Sequence, residues 1–264
     1  MNINGFDSYQ DISSPVHRMD ARVKVIAALL FILIVSLAPF GRFSIYVGLF
    51  TVVMICTLFA NLDPLQVVKR SLIALPFAGA AITLIFTVPG ETLATVPLVG
   101  WPISAPGLVR FASIVFKSVI AVQAATLLIM TTRFTDTLWA LSAMRVPSSL
   151  IAIAAFMYRY SFVLAAEATR LTRAREARSA ELPGVRSRGR SVIFNAQITG
   201  QLIGNLLIRS FARSERVYQA MAARGFKGEM KRLDHPALTG HDLALGALPV
   251  LVGALLLAGG FFIG

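Results

Sequence analysis

The chain alternates long apolar runs with short turn-rich breaks, then changes character after residue 147. Five runs, residues 23–40, 43–60, 72–89, 108–130 and 242–264, are apolar and long enough to cross a bilayer core, which takes roughly 17–25 helical residues. Pro39, Phe40 and Gly41 predict the first turn, and Asn61 to Pro64 the second, because Pro and Gly end helices and Asn and Asp favour tight turns. Between 89 and 106 stand Pro89, Gly90, Pro97, Gly100, Pro102 and Pro106. A loop or re-entrant segment is expected there, with Trp101 as an interfacial anchor. The first run follows Arg18, Arg22 and Lys24, and Ser36-Leu37-Ala38 has the form of a signal-peptide cleavage site. The charged lead-in is long and further apolar runs follow at once, so a retained membrane helix is the expected reading.

Two long stretches beyond residue 147 have a different pattern. Residues 148–182 contain no Pro or Gly, follow Pro147, and stop at Pro183-Gly184. Read as one helix, this stretch would be about 52 Å long at about 1.5 Å per residue. Its first half is apolar (Ile151, Ile153, Phe156, Phe162, Leu164) and its second half basic (Arg170, Arg173, Arg175, Arg178). Residues 190–224 place Ile203, Leu207, Phe211, Tyr218 and Met221 on one helical stripe and Arg209, Arg213 and Arg216 on another, an amphipathic pattern. Gly225 is a suitable residue to follow the helix end. Gly200 and Gly204 weaken the helix locally or admit another helix closely. A surface-lying membrane anchor is the simplest use of such a helix, but an anchor does not need two matched helices of this length. The expected fold class is therefore all-α, a polytopic integral membrane protein with about five membrane helices and two long amphipathic cytoplasmic helices. The organisation reads as residues 1–147 with four membrane helices, 148–235 as the two-helix module, and 236–264 as a last membrane helix.

Composition strengthens the membrane reading. Of 264 residues, 56% are hydrophobic and 14% charged, against about 25% charged in soluble domains. The net charge is +12. Residues 167–234 carry 14 Lys/Arg against 6 Asp/Glu, so by the positive-inside rule this region stays cytoplasmic. Arg18, Arg22 and Lys24 before the first run, Lys69 and Arg70 after the second, and Arg133 and Arg145 after the fourth agree. The N-terminus is expected inside and the C-terminus outside. The partners expected of the basic charge are membrane lipid and acidic protein surfaces, not nucleic acid.

The apolar runs carry little chemistry. A transporter that selects its own ion keeps ionisable groups within the bilayer. The fourth run has Arg110 and Lys117, the last only Asp242 at its start, and the first three are uncharged between 26 and 39, 43 and 60, and 72 and 89. Lys117 reads as a snorkelling or helix-pairing group. His17, His235 and His241 match no metal spacing, Cys56 stands alone, and there is no phosphate-binding Gly-x-x-x-x-Gly-Lys-Ser/Thr loop. The expectation is no catalytic residue, no metal ligand and no cofactor bound by this chain.

Each long stretch ends in a small-Arg-small triplet: Ala177-Arg178-Ser179 and Ala223-Arg224-Gly225. Small neighbours let the backbone lie close to another surface while the planar guanidinium pairs with a carboxylate. Spacing alone leaves solvated basic helix ends equally open. The surrounding residues carry a resemblance. Ser14-Pro15-Val16-His17-Arg18-Met19-Asp20-Ala21-Arg22-Val23-Lys24, Met157-Tyr158-Arg159-Tyr160-Ser161-Phe162-Val163-Leu164, and Glu215-Arg216-Val217-Tyr218-Gln219-Ala220-Met221 leading into the second triplet resemble the transmembrane T component of energy-coupling factor transporters, cobalt/nickel (CbiQ-type) branch. That resemblance implies a non-catalytic subunit of a bacterial inner-membrane importer for cobalt. Two cytoplasmic ATPase subunits, carrying ATP and Mg, would dock at Arg178 and Arg224, and a separate membrane subunit would bind the metal. Ser179 departs from the Gly usual in the first triplet. Alternatives are the same role for nickel, or an integral membrane lipid-handling enzyme built on groups such as Tyr158, Arg159 and Glu167.

Overall fold

A computed structural model describes residues 9–10, 12–74, 76, 79, 81–89, 92–95, 102–178, 192–226, 228 and 238–262. Its helices are α1 (Pro15–Arg18), α2 (Ala21–Leu37), α3 (Phe43–Phe59), α4 (Pro64–Ser71), α5 (Thr83–Thr87), α6 (Ala105–Thr131), α7 (Phe134–Ala143), α8 (Ser148–Arg178), α9 (Val192–Ala223) and α10 (Gly240–Phe262). The remaining regular elements are a 3₁₀ turn at Leu72–Ala74 and an antiparallel ribbon of β1 (Thr92–Thr95) with β2 (Pro102–Ser104). The protein is thus a polytopic all-α membrane protein. The helices at Ala105–Thr131, Ser148–Arg178 and Gly240–Gly260 are long and apolar enough to cross a membrane. The chain divides into two compact units: residues 8–144 with 234–264, and residues 1–7 with 145–233.

The first unit is a bundle of α2, α3, α6 and α10. Its core joins Phe31, Val35 and Ala38 of α2 and its end, Ile45, Tyr46, Leu49, Val52 and Val53 of α3, and Ile120 and Ala124 of α6. In lipid, the cohesion of such a core comes from close packing and hydrogen bonds rather than from release of water. Glycine brings the last helix in: a Cβ at Gly246 would fall within the Val23 side chain, and one at Gly260 within that of Ile45. The outward residues of the same helices, such as Leu29, Leu33, Val47, Leu58, Leu251 and Leu255, are apolar and exposed. That is the surface a lipid-facing bundle presents.

Both expected turns are present. Tyr46 donates its hydroxyl to the Pro39 carbonyl at 2.6 Å, and the Gly41 amide reaches Ser113 Oγ at 3.0 Å. At the other turn Asp63 caps α4 by accepting from the Leu65 amide at 3.0 Å.

Two lysines fasten α2 to α6 at both ends. Lys24, on α2, donates to the Thr131 carbonyl at the end of α6 (3.0 Å) and to the His17 carbonyl (3.2 Å). Lys117, on α6, donates to the Ser36 carbonyl at the end of α2 (3.1 Å) and lies over the Phe40 ring. Carbonyls at helix ends have no intrahelical partner, so each lysine satisfies groups that its neighbour cannot. Lys117 is therefore a helix-pairing group. The same antiparallel packing collects Arg18, Arg22, Lys24, Lys69, Arg70 and Arg133 at the end where α2 begins and α3 and α6 finish. There Arg22 stacks on Trp139, and Ala60, Leu62, Val67 and Met130 form a second small core.

One expected span is corrected. Among the described residues of 72–89 there is no single unbroken helix: a 3₁₀ turn at Leu72–Ala74, helical backbone at Pro76 and Gly79, a turn at Ala81 and Ile82, and a five-residue helix at Thr83–Thr87. Pro76 has no amide hydrogen to donate. The Ile82 and Ile85 amides bond three residues back, to Gly79 and Ile82, the tighter pattern of a 3₁₀ turn. Trp101, the expected anchor, lies outside the described residues.

Candidate functional site: the paired long helices

The second unit is built on α8 and α9, of 31 and 32 residues. Their pairing is read from two contacts. Glu167 of α8 meets Arg209 and Arg213 of α9. Nearer the start of α8, Phe156 meets Phe226, just past the end of α9, ring edge to face at 6.2 Å. As the numbering rises along α8 it falls along α9, so the helices run antiparallel.

That sense separates the two arginine-bearing ends. Arg178 closes α8 and is exposed. Arg224 follows α9, is exposed, and stands near the Phe156 level of α8. Along the pair, the two ends lie roughly 33 Å apart at about 1.5 Å per residue. Ala177 and Ala223 are exposed beside their arginines. Ser179 lies outside the described residues.

Gly225 follows the end of α9, as its place in the sequence suggested. It sits at φ +79°, a left-handed conformation that only glycine adopts without strain. Its amide bonds the Ala222 carbonyl and the Phe226 amide bonds the Met221 carbonyl, each at 3.0 Å. This is the Schellman helix end, which satisfies the last carbonyls and turns the chain sharply away. Phe226 then packs on Phe156 and fixes the turn to α8. Arg224 is therefore held at a defined corner and not on a fraying end. The signal was legible as an apolar residue directly after Gly225.

Sequence reasoning weighed Glu167 only for a lipid enzyme and missed its place between the long helices. Its side chain is 12% exposed and takes three guanidiniums: Arg170 one turn on, Arg209 at 3.0 Å and Arg213 at 3.9 Å. The clue was a lone carboxylate where α8 changes from apolar to basic, opposite the arginine stripe of α9. Arg216, on the same stripe, bonds the Ala212 carbonyl of its own helix. Glu215 accepts from Gln219 one turn on, the ordinary local pairing. The groups weighed for a lipid enzyme do not converge, since Tyr158 packs on Phe162 and Glu167 is committed to arginines.

Among the described residues, Ile203, Leu207, Phe211 and Tyr218 on the apolar stripe of α9 are exposed, as are Leu150, Ile153 and Met157 of α8. Among the described residues no group of three His, Cys, Asp or Glu side chains is placed to hold a metal ion. His235 lies outside the described residues, and His241 is the second residue of α10. The arrangement offers contact surfaces and fixed charges, with no reactive constellation among these groups.

Comparison with known proteins agrees. The family model described as cobalt transport protein, CbiQ, matches residues 12–235. The energy-coupling factor transporter transmembrane protein EcfT of Exiguobacterium sibiricum is 32% identical over 94% of this chain and 97% of its own length. The cobalt transport protein CbiQ of Rhodobacter capsulatus is 39% identical over 49% of each chain. A putative fused cobalt transport protein, CbiMQ, of Methanocorpusculum labreanum is 25% identical over 94% of this chain and 40% of its own. With its bundle of apolar helices and its long paired helices, the chain belongs to the CbiQ cobalt transport protein family, the transmembrane T components of energy-coupling factor transporters.

Proposed function

We propose that this chain is the coupling subunit of a cobalt importer in a bacterial inner membrane, with its N-terminus and paired helices inside and its C-terminus outside. It binds no cofactor of its own. Two cytoplasmic ATPase subunits carry ATP and Mg, one docking at Ala177-Arg178-Ser179 and the other at Ala223-Arg224-Gly225. The observation that carries this reading is the antiparallel pair with an exposed arginine closing each helix, roughly 33 Å apart, a span suited to two separate subunits. Each guanidinium pairs with a carboxylate or with carbonyls in its ATPase. When ATP binding brings the ATPases together, the two helix ends are drawn with them. The exposed apolar stripes of α8 and α9 pass that motion to a separate membrane subunit that holds the metal. The fusion of two components in the Methanocorpusculum relative supports such a neighbour.

The test is a pull-down in mild detergent with this chain as bait from its native membrane, comparing wild type with an Arg178→Ala, Arg224→Ala chain that inserts normally. Co-purification of an ATPase with wild type and its loss in the double variant is the expected result, and the co-purifying membrane subunit then identifies the metal. An ATPase held and driven equally well by both chains would overturn the docking role.

A further inference from the structure

Resting on the docking reading just given, we propose that Glu167 is the positioning residue that makes the two docking ends move as one body. Its carboxylate is engaged on both oxygens: Oε1 by Arg209, and Oε2 by Arg213 of α9 and by Arg170 of its own helix. Arg170 fixes the rotamer of Glu167, and the two arginines of α9 fix the crossing. The position along each helix matters as much as the contact. Arg178 lies eleven residues beyond Glu167 on α8, and Arg224 eleven beyond Arg213 on α9. Each docking end is thus an arm of roughly 16 Å beyond the Glu167 pairs, the α9 arm being held to α8 through Phe226 and Phe156 as well.

The outer part of each arm is exposed: Arg173, Ala174, Glu176 and Ala177 on α8, and Gln219, Ala220, Ala222 and Ala223 on α9. Force applied at one end reaches the other through the crossing. Charge-assisted bonds are directional and resist the sliding that apolar contacts permit. Removing the carboxylate also leaves three guanidiniums facing one another, so repulsion opens the crossing. The consequence is specific: without Glu167 the ATPases still dock and hydrolyse ATP, but hydrolysis no longer drives uptake efficiently.

The experiment uses the whole complex, purified in mild detergent and reconstituted in liposomes, with Co²⁺ uptake counted per ATP hydrolysed. Glu167→Gln is expected to keep ATPase capture and hydrolysis and to lower uptake per ATP about fivefold or more, the range of ordinary site-to-site coupling. The exchange Glu167→Arg with Arg209→Glu restores one cross-helix pair and should recover most of the loss shown by Glu167→Arg alone. If Glu167→Gln inserts poorly, Arg209→Gln, a change at an exposed position, reports the same loss. Uptake per ATP within about twofold of wild type in the neutral variant, an exchange no better than its parent, or loss of ATPase capture would each overturn the proposal. Failure of the docking reading shows separately, as ATPases still captured by the Arg178→Ala, Arg224→Ala chain.

Discussion

The two units solve the problem of holding helices together in opposite ways. In the bundle, side chains from α2, α3 and α6 interlock around Tyr46, Leu49 and Ile120, all essentially closed to solvent, and lysines tie helix ends to backbone carbonyls. In the long pair, a carboxylate among arginines and one aromatic contact join helices whose apolar stripes stay exposed. A close-packed core resists displacement because any shift opens voids or creates overlaps. Charge-assisted contacts are directional and fix the register of a pair where they form. The difference is between side chains interlocked on every side and helices joined through directional contacts.

The largest effect is expected at the two ends of the long pair. Removing Arg178 and Arg224 together should reduce Co²⁺ uptake to background, as loss of two interface anchors worth about 2 kcal/mol or more each would require, while the bundle's melting point in detergent stays unchanged. A shift in that melting point would show that the units are not energetically separate. Next comes Gly107→Ala at the start of α6. The new Cβ would stand 2.6 Å from the Leu84 carbonyl oxygen and 2.9 Å from the Ile85 Cα, backbone that cannot swing aside. A cost of about 1–3 kcal/mol is expected, read as a lowered melting midpoint, and no change would mean that the frame yields there.

In the pair, Gly225→Ala meets open space but forces a left-handed conformation on alanine, at about 1–2 kcal/mol. ATPase capture should weaken with no change in the bundle. Equal capture would show that the corner geometry of Arg224 is dispensable. The smallest effect has the opposite sign. Gly200 and Gly204 have nothing within 4 Å of an added Cβ among the described residues, so alanine at each should stabilise α9 by about 0.5–1 kcal/mol. Helicity by circular dichroism checks the gain, and a fall in Co²⁺ uptake despite it would mark these glycines as the place where a partner helix lies close.

Much of the fold was legible because its determinants are local. Asn61-Leu62-Asp63-Pro64 carries its own helix stop and cap, Gly225 its own helix end, and α6 and α10 nearly coincide with the expected runs 108–130 and 242–264. Residues 72–89 misled because mean hydropathy ignores the backbone: Pro76 was visible as a helix breaker inside an apolar run. Arg178 and Arg224 could be singled out by their small neighbours, but not their separation, which depends on the antiparallel sense of α8 and α9.

The amino-acid sequence alone marks most of the helical stretches, those apolar enough for lipid, and where basic charge collects along the chain, since periodicity, Pro and Gly placement and side-chain transfer act over a few residues. The tertiary structure alone decided which distant groups meet. Glu167 finds Arg209 42 residues on, Lys117 finds the Ser36 carbonyl 81 residues back, and Lys24 reaches Thr131 across 107. Each of these groups has strong bonding needs and several candidate partners of the same kind, and only the packing of whole helices brings one of them within hydrogen-bond distance.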